Sequence, residues 1–326
     1  MKICFLENTI FKYDGNDLDK FKLRGAEKVL INLSSELHKI GHDITVINNC
    51  YKNTLINGVK WININSYNQK DYFDVAISNG DINLFKKISS KKFYLISHSL
   101  QSIEKFIRKN QLINFFLYRP KIILLSNYHL KNRSYLLRLF GHIRLDWSVD
   151  NIFLKTSVNN VLKQDQLIFT SRADRNLSML IDIWKELIYP QNKSLKLLIT
   201  PIKKNLKKYN IINRRTENQN SLISDLLASK ILLIPGHKAE LFCLSAEEAK
   251  ILCIPVVTLG IGCLKERVSH GVTGFIAKNN KEFADYTFQL LNDKILYNKM
   301  TTHLKKIRRM KSWNNVAKNL IKNINE

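Results

Sequence analysis

The chain has 326 residues and a mass of 38.1 kDa, which at about 150 residues per domain predicts two domains. Hydrophobic residues make up 45% and charged residues 24%, so wholesale disorder is excluded. The 52 Lys and Arg against 27 Asp and Glu give a net charge of +25. Such a charge attracts polyanions, namely nucleic acid, anionic lipid or phosphorylated substrates. A coding bias toward lysine and asparagine explains the charge equally well, and the sequence leaves both explanations open.

The compartment is predicted from the residues that interrupt the apolar segments. No apolar run reaches the roughly 18 residues that a membrane span needs. Glu7 interrupts the apolar start of the chain, so no secretory signal is expected and the protein is predicted to be cytoplasmic. The cysteines are odd in number and form no CxxC pair, which argues against disulfides or structural zinc and favours buried free thiols. These are Cys4, Cys50, Cys243, Cys253 and Cys263.

Short apolar runs alternate with helical patterns through the first half of the chain. Residues 2–6 form a predicted strand, and residues 25–40 a predicted helix whose apolar side chains recur at helical spacing. Alternation of this kind is typical of parallel βαβ units and a doubly wound sheet. Further strands are predicted at 43–48, 74–78, 93–97 and 121–126.

A polar stretch at 150–164 separates this series from a second one. The second series opens with a strand at 166–172 and a helix at 177–188, and its further strands are predicted at 196–200, 230–234 and 254–259. The predicted fold class is therefore α/β, with two Rossmann-like domains facing each other across a cleft. The boundaries are 1–155 and 156–309, and helix 310–326 is free to pack back on the first domain.

Several common enzyme signatures are missing from the sequence. It contains no GxGxxG after the first strand, no GxxxxGK[ST], no GxSxG and no HExxH. The common dehydrogenase, P-loop NTPase, serine hydrolase and metalloprotease classes are therefore unsupported.

The segment 230–262 is the most informative one. A buried strand ends in the loop GHKAE, and a helix is predicted from near Phe242 through Ala249. Glu240 and Glu248 are eight positions apart, which on a helix would place them on one side, about 12 Å apart. The backbone amides of Phe242, Cys243 and Leu244 would form an anion site at the helix start. Carboxylates that accept hydrogen bonds from hydroxyl groups, beside amides that donate to a diphosphate, are suited to bind a nucleotide-sugar donor.

This segment resembles the signature of the retaining family 4 glycosyltransferases of the GT-B fold, also called glycosyl transferases group 1. The E-x7-E pair stands at Glu240 and Glu248, and the run 255–275 resembles the family's next stretch of chain. Residues 24–47 resemble the family's first loop, helix and second strand, and residues 170–176 its basic pair. The resemblance covers nearly the whole chain in order.

The resemblance implies roles for individual residues. Glu240 would hold hydroxyls of the donor sugar and Glu248 the ribose, while Arg172 and Arg175 would bind the diphosphate. Two catalytic or donor-binding positions lie in the first half: Gly25 in the first loop and His98 at a strand end. Three departures from the family pattern accompany these residues, namely Arg24 and Cys243 at positions usually held by glycine, and Arg175 in place of a lysine two positions later.

The resemblance also implies the reaction. A hexosyltransferase would use a nucleotide-diphosphate sugar as co-substrate, with retention and without a metal or other cofactor. The first domain would face the acceptor, a surface glycan or lipid-linked precursor of polysaccharide or lipopolysaccharide, and the second would hold the donor. Two alternatives stay open: a catalytically silent GT-B scaffold, and a basic nucleic-acid-binding protein. No nucleic acid partner is expected, because no recognised binding motif occurs.

Residues 105–121 combine basic and aromatic side chains, among them Lys105, Arg108, Lys109, Phe115 and Phe116. This composition is typical of an interfacial helix on anionic lipid. The alternative is an ordinary helix whose apolar side covers the sheet. The first interpretation predicts a protein held peripherally on the inner face of the cytoplasmic membrane.

Overall fold

The computed structural model describes residues 1–18, 23, 25–68, 71–159, 161–215, 218–308 and 312–326. The chain divides into two compact units. Unit 1 comprises Met1–Ser148 together with Ser312–Glu326, and unit 2 comprises Val149–Lys311. All five cysteines are buried and free, which confirms that expectation.

The strands are short, and most are buried along their length. In chain order they are β1 Lys2–Leu6, β2 Asp43–Asn48, β3 Thr54–Ile56, β4 Val59–Asn63, β5 Tyr72–Asn79, β6 Ser89–Ile96, β7 Lys121–Leu124, β8 His142–Arg144, β9 Gln166–Ile168, β10 Lys196–Ile199, β11 Ile211–Asn213, β12 Ile231–Leu233, β13 Val256–Thr258 and β14 Gly274–Ile276.

The helices alternate with these strands. In chain order they are α1 Gly25–Lys39, α2 Ile103–Arg108, α3 Leu112–Tyr118, α4 Asn127–Lys131, α5 Asn151–Lys155, α6 Leu177–Ile183, α7 Gln219–Ala228, α8 Leu244–Ile251, α9 Leu264–Arg267, α10 Asn280–Asn292, α11 Lys294–Ile307 and α12 Trp313–Asn325. Short 3₁₀ helices cover Ile82–Lys87, Tyr135–Arg138 and Lys207–Tyr209, and α6 continues as a π-helical turn over Trp184–Ile188.

Unit 1 is built on an eight-stranded sheet in the order β3-β4-β2-β1-β5-β6-β7-β8. All neighbours pair in parallel except β3, which runs antiparallel to β4 at the edge. The C-terminal helix α12 packs on α1, where the Asn314 amide donates to Glu36 at 3.5 Å. Trp313 also lies against Trp147, with 6.0 Å between the ring centroids. The last helix of the chain therefore completes the first unit.

Unit 2 is built on a six-stranded parallel sheet in the order β11-β10-β9-β12-β13-β14. This is the Rossmann order 3-2-1-4-5-6, and unit 1 follows the same scheme with extra edge strands. In such sheets the strand order reverses at a switch point, and ligands bind at the carboxyl ends of the strands there. The switch point lies between β1 and β5 in unit 1, and between β9 and β12 in unit 2.

The predicted helix over 105–121 is two helices. Helix α2 ends before Asn110, which adopts the left-handed conformation at φ 52°, and α3 starts two residues later. A left-handed residue cannot continue a right-handed helix, so the chain turns at this point. Phe115 is fully buried while Phe116 is 40% exposed, so the segment has a core side and a solvent side.

Candidate functional site

The switch point of unit 2 brings together side chains from the loops after β9 and β12. Arg175 Nε lies 3.3 Å from Glu240 Oε1, and the Ser171 hydroxyl donates to the same oxygen at 3.1 Å. Arg175 Nη1 lies 3.3 Å from Nδ1 of His237. Since a guanidinium can only donate, Nδ1 must accept, so the neutral His237 ring carries its hydrogen on Nε2. The site therefore joins a carboxylate, a guanidinium, a hydroxyl and an imidazole.

Burial raises the pKa of Glu240, while the charge of Arg175 and the hydrogen bond from Ser171 act in the opposite direction. The Glu240 side chain is only 12% exposed and that of Arg175 19% exposed. A partly desolvated carboxylate held beside a cation can accept hydrogen bonds from hydroxyl groups more strongly than one in water.

Arg172 lies apart from this pair. Its guanidinium forms a fork with the carboxylate of Asp174, through Nε at 3.0 Å and through Nη2. The side chain is 70% exposed. Asp174 Oδ2 also lies 3.7 Å from Arg175 Nη1, so one carboxylate links the two arginines. Burial by itself would raise the pKa of the Asp174 carboxyl, but the two arginines lower it overall.

Two glycines allow the loop after β12 to carry Glu240. Gly236 has φ +97°, and a Cβ there would lie 2.6 Å from the backbone oxygen of Ile261. Gly262 has φ +74°, and a Cβ there would lie 2.3 Å from the backbone oxygen of His237. The amide of Cys263 then donates to the Glu240 carbonyl at 3.0 Å. The position of Glu240 is therefore fixed by backbone contacts that a side chain at either glycine would prevent.

The helix after this loop starts later than the sequence predicted. Helix α8 begins at Leu244 and ends at Ile251, so Glu240 and Phe242 precede it and the expected two-turn spacing of Glu240 and Glu248 is wrong. The cause is Cys243, which adopts the left-handed conformation at φ 62° and breaks the helical run. Of the three amides predicted to open the helix, only that of Leu244 belongs to it. Ala246 and Glu247 already donate to the Cys243 carbonyl, at 3.2 and 3.4 Å.

Glu248 lies in α8 and is half-buried. Its neighbour Glu247 is the buried one, at 3% exposure, and pairs with Lys250 Nζ at 2.8 Å and Arg267 Nη1 at 3.7 Å. The Arg267 guanidinium also stacks over the ring of Phe242, 4.4 Å from its centroid. Phe242 is thus a buried packing residue of the loop.

The switch point of unit 1 holds a second polar network. Asn79, at the end of β5, donates from Nδ2 to Glu7, which follows β1, and the Tyr13 hydroxyl donates to the other oxygen of Glu7. Nε2 of His98 donates to Oδ1 of Asn79, since an amide oxygen can only accept. His98 is exposed and follows β6, as the sequence predicted. The network therefore orients the His98 ring through Asn79.

The pKa of Glu7 is raised to about 7, mainly by burial and also by the nearby carboxylate of Glu27, although the hydrogen bonds from Tyr13 and Asn79 act in the opposite direction. Glu27 belongs to the first turn of α1 and is 4% exposed. Gly25 is the first residue of α1, and Arg24 before it lies outside the described residues.

The sequence interpretation missed Ser171, His237, Glu7 and Asn79. A usable signal existed for Glu7 and Asn79: each is a polar residue directly after or at the end of an apolar strand, where parallel sheets bind ligands. Within the described ranges, no group of three or more His, Cys, Asp or Glu side chains is arranged to hold a metal ion. In the same part of the chain no helix combines the length and apolarity needed to cross a membrane.

Comparison with known proteins finds a family model that matches unit 2. Residues 150–307 match the family model of glycosyl transferases group 1. The second unit is a glycosyl transferases group 1 domain. The protein is accordingly a glycosyltransferase. No curated protein matches the chain significantly in sequence.

Solved structures of glycosyltransferases share the fold over the whole length. Sucrose-phosphate synthase from Thermosynechococcus elongatus matches with a TM-score of 0.68 at 12% identity, over 98% of this chain and 97% of that one. HepE from Anabaena in complex with UDP-glucose matches with 0.67 at 13% identity, over 100% and 99%. WaaG, a glycosyltransferase involved in lipopolysaccharide biosynthesis, matches with 0.63 at 12% identity, over 99% of both chains. These similarities confirm the predicted α/β GT-B fold.

Proposed function

We propose that this glycosyltransferase moves a hexose from a nucleotide-diphosphate sugar to a hydroxyl of a surface glycan or lipid-linked acceptor, with retention at the anomeric carbon. The pairing of Arg175 with Glu240 at the switch point of unit 2 carries the proposal. A donor of this class needs a carboxylate for its sugar hydroxyls and a cation for its diphosphate. HepE was crystallised with UDP-glucose, which makes UDP-glucose the first donor to test.

In the absence of a donor, Arg175 and Glu240 form an ion pair with each other. A sugar hydroxyl that donates to Glu240 would replace the hydrogen bond from Ser171, and a phosphate oxygen would accept from Arg175. Glu240 would then exchange one hydroxyl donor for another, and the anionic diphosphate would add a second partner for the Arg175 guanidinium. The exposed guanidinium of Arg172 can leave Asp174 for the second phosphate at little cost, since exposed ion pairs contribute about 0–1 kcal/mol.

In the transfer step the bond between the anomeric carbon and the phosphate oxygen breaks, and the diphosphate leaves with the electron pair. The acceptor oxygen bonds to the same face of that carbon, and its proton passes to the departing phosphate oxygen. Negative charge therefore grows on the diphosphate, where Arg172 and Arg175 would stabilise it. Preorganised charges of this kind often contribute more to catalysis than any other effect.

We also propose that unit 1 docks on an anionic membrane through a surface we call the α3 patch. It consists of exposed apolar side chains of α3 and of the segment after α4, which meet where Phe116 and Phe140 lie 6.0 Å apart. Basic side chains, Arg119 and Arg138 among them, are exposed beside it. Such a surface would hold a cytoplasmic enzyme at the inner face of the membrane, near a lipid-linked acceptor. The patch comprises Ile113, Phe116, Leu117, Tyr135, Leu136 and Leu139.

A thermal-shift panel of UDP-, GDP- and ADP-sugars tests the donor class, because a ligand that binds the folded state raises its stability. The Glu248→Ala variant should bind the preferred nucleotide about ten-fold more weakly, since a charged hydrogen bond is worth about 1.5–3 kcal/mol. Glu186→Ala removes an exposed carboxylate from the same unit and serves as control. Equal affinities in both variants would contradict the proposed role of Glu248. The anomeric configuration of the product, read by NMR, tests retention.

A further inference from the structure

A cavity lies in unit 1 at the carboxyl end of β6, beneath the loop that leads into α2. Its volume is about 210 Å³. At roughly 30 Å³ per water molecule, this is room for about seven waters, or for a phosphate with a short polyol. Its polar lining comes from a single stretch of chain and consists of Ser97, His98, Ser99, Gln101, Lys105 and Lys109, together with Gln111 just before α3. The cavity therefore belongs entirely to unit 1.

Gln101 is the most unusual residue of this lining. It is 3% exposed, and neither its Nε2 nor its Oε1 has a hydrogen-bond partner among the described residues. Buried amides in folded proteins are almost always hydrogen-bonded, because an unpaired donor or acceptor keeps the full cost of its desolvation. Here both a donor and an acceptor stay unsatisfied in one side chain that lines a cavity. A ligand that accepts from Nε2 and donates to Oε1 would satisfy both.

The charges around the cavity are of one sign. Lys105 Nζ donates to the Ser99 hydroxyl, and within the described part of the chain neither Lys105 nor Lys109 forms an ion pair with a carboxylate. Burial lowers the pKa of Lys105, and the charges of Lys109 and Arg108 lower it further. Two ammonium groups crowded without a counter-ion would be relieved by an anion between them.

The nearby acidic residues Asp81 and Glu104 do not line the cavity. Asp81 accepts from Gln111 Nε2 at 2.7 Å and from the Asn83 amide at 3.0 Å, where it caps the 3₁₀ helix that follows β5. Glu104 lies on α2 but outside the cavity lining, and its side chain is exposed. The cavity thus presents ammonium, hydroxyl and amide donors together with the buried, unsatisfied acceptor Gln101 Oε1.

We infer that this cavity binds a phosphorylated polyol or sugar, with the phosphoryl group at Lys105 and Lys109 and a neighbouring hydroxyl donating to Gln101 Oε1. The inference rests on the proposed function, since such a group would be the phosphate-bearing part of the acceptor. A carboxylate has no hydrogen to donate to Gln101 Oε1. Inorganic phosphate could donate to it only from a protonated oxygen. A phosphate ester with an adjacent hydroxyl supplies an anion for the two lysines, an acceptor for Gln101 Nε2 and a donor for Gln101 Oε1.

Calorimetric titration of the full chain tests the inference with three probes: glycerol 3-phosphate, inorganic phosphate and glycerol. Glycerol 3-phosphate should bind most tightly and glycerol should not bind measurably. The double variant Lys105→Gln/Lys109→Gln should lose affinity at least ten-fold. Lys86→Gln changes the charge of an exposed lysine of unit 1 outside the cavity and should leave affinity unchanged. Equal losses of affinity in both variants would show that only the overall charge of the protein matters, and this would overturn the inference.

Gln101→Leu separates a binding residue from a structural one. A leucine removes two unsatisfied polar atoms, so the melting temperature should stay constant or rise while glycerol 3-phosphate affinity falls several-fold. A fall in melting temperature with unchanged affinity would overturn the inference. Once binding of glycerol 3-phosphate is established, vesicles of phosphatidylglycerol distinguish the source of the phosphoryl group: they should compete if the natural group is a lipid headgroup and fail to compete if it is soluble.

Titration of UDP with the same variants keeps this inference distinct from the proposed function. UDP affinity should be the same for the wild-type protein, the lysine double variant and Gln101→Leu, because the side chains proposed to hold the nucleotide, Arg172, Arg175 and Glu248, belong to unit 2. A wild-type protein that binds glycerol 3-phosphate but no nucleotide would contradict the donor assignment alone. One that binds nucleotide but none of the phosphate probes would contradict the cavity assignment alone.

Discussion

The Arg175 guanidinium lies 3.3 Å from the Glu240 carboxylate, and the two residues come from the loops that follow β9 and β12. These strands are neighbours although 62 residues separate their ends along the chain, since β9 ends at 168 and β12 starts at 231. The parallel topology alone makes the contact possible. The same relationship recurs in unit 1, where Asn79 donates to Glu7 across β5 and β1. Each unit thus has a hydrogen-bonded polar network at the point where its strand order reverses.

Breaking the Arg175–Glu240 pair should destabilise the protein, and a second substitution should restore most of the lost stability. Arg175→Met should lower the free energy of unfolding by about 2 kcal/mol, below the roughly 3–5 kcal/mol of fully buried pairs because both side chains keep some exposure. Adding Glu240→Gln removes the uncompensated charge and should restore most of that loss. Transferase activity should stay low in both variants. Urea unfolding of the two variants measures the effect, and a double variant no more stable than Arg175→Met would contradict the pairing.

Arg172 is expected to behave differently from Arg175. Its side chain is 70% exposed, so Arg172→Ala should leave the melting temperature unchanged. Turnover should fall by a factor that corresponds to about 2.7–4 kcal/mol, since charge grows on the leaving diphosphate. Steady-state kinetics with the preferred donor measures this. A variant that keeps kcat and only raises KM would assign Arg172 to uniform substrate binding.

The left-handed backbone at Cys243 predicts that glycine stabilises this position more than alanine does, which is the reverse of their order inside a helix. Cys243→Gly should be more stable than Cys243→Ala by about 1 kcal/mol, because glycine relieves the strain of φ 62°. Ala246 lies inside α8 and provides the matched control, since Ala246→Gly should show the ordinary loss of about 0.5–1 kcal/mol or more. Chemical unfolding of the three variants decides the matter. An Ala variant at 243 as stable as the Gly variant would mean that the backbone there is relaxed.

The raised pKa of Glu7 predicts how stability depends on pH. An unfolded carboxyl titrates near its ordinary value of 4.5, and the folded one at about 7. Between these values the unfolded state loses its proton first, so rising pH favours unfolding, by about 3 kcal/mol in total. Glu7→Gln cannot ionise and should lack this loss.

Unfolding of the wild-type protein and the Glu7→Gln variant at pH 4.5 and pH 8 checks this expectation. The wild-type protein should be relatively less stable at pH 8, and the difference between the two proteins should shrink toward pH 4.5. Glu104→Gln, at an exposed position of α2, should follow the wild-type curve. If wild type and Glu7→Gln show the same pH dependence, the Glu7 carboxyl titrates in the ordinary range.

Strand positions and the fold class were predictable from the sequence because buried parallel strands are continuous apolar runs. Strand β1 was predicted at its observed bounds, whereas the three-residue edge strands β11 and β14 were too short to give a pattern. The predicted helix bounds were wrong where a residue other than glycine adopts the left-handed backbone conformation, as Asn110 and Cys243 do. Side-chain type gives little sign of such a turn, since the surrounding packing decides it. The contacts of Glu240 with its partners likewise could not be predicted from the sequence, because they depend on which strands become neighbours.

The α3 patch predicts that two adjacent phenylalanines have opposite effects. Phe115 is fully buried, so Phe115→Ser should lower the free energy of unfolding by about 3–5 kcal/mol. Phe116→Ser with Leu117→Ser should keep the melting temperature and lose binding to vesicles of anionic lipid, measured by co-sedimentation. Leu55→Ser, at a 66% exposed position on edge strand β3, should bind like the wild-type protein. Binding should weaken with salt, because the Debye length of about 8 Å at physiological ionic strength shortens further. Undiminished vesicle binding by the Phe116→Ser/Leu117→Ser variant would place the membrane contact elsewhere or nowhere.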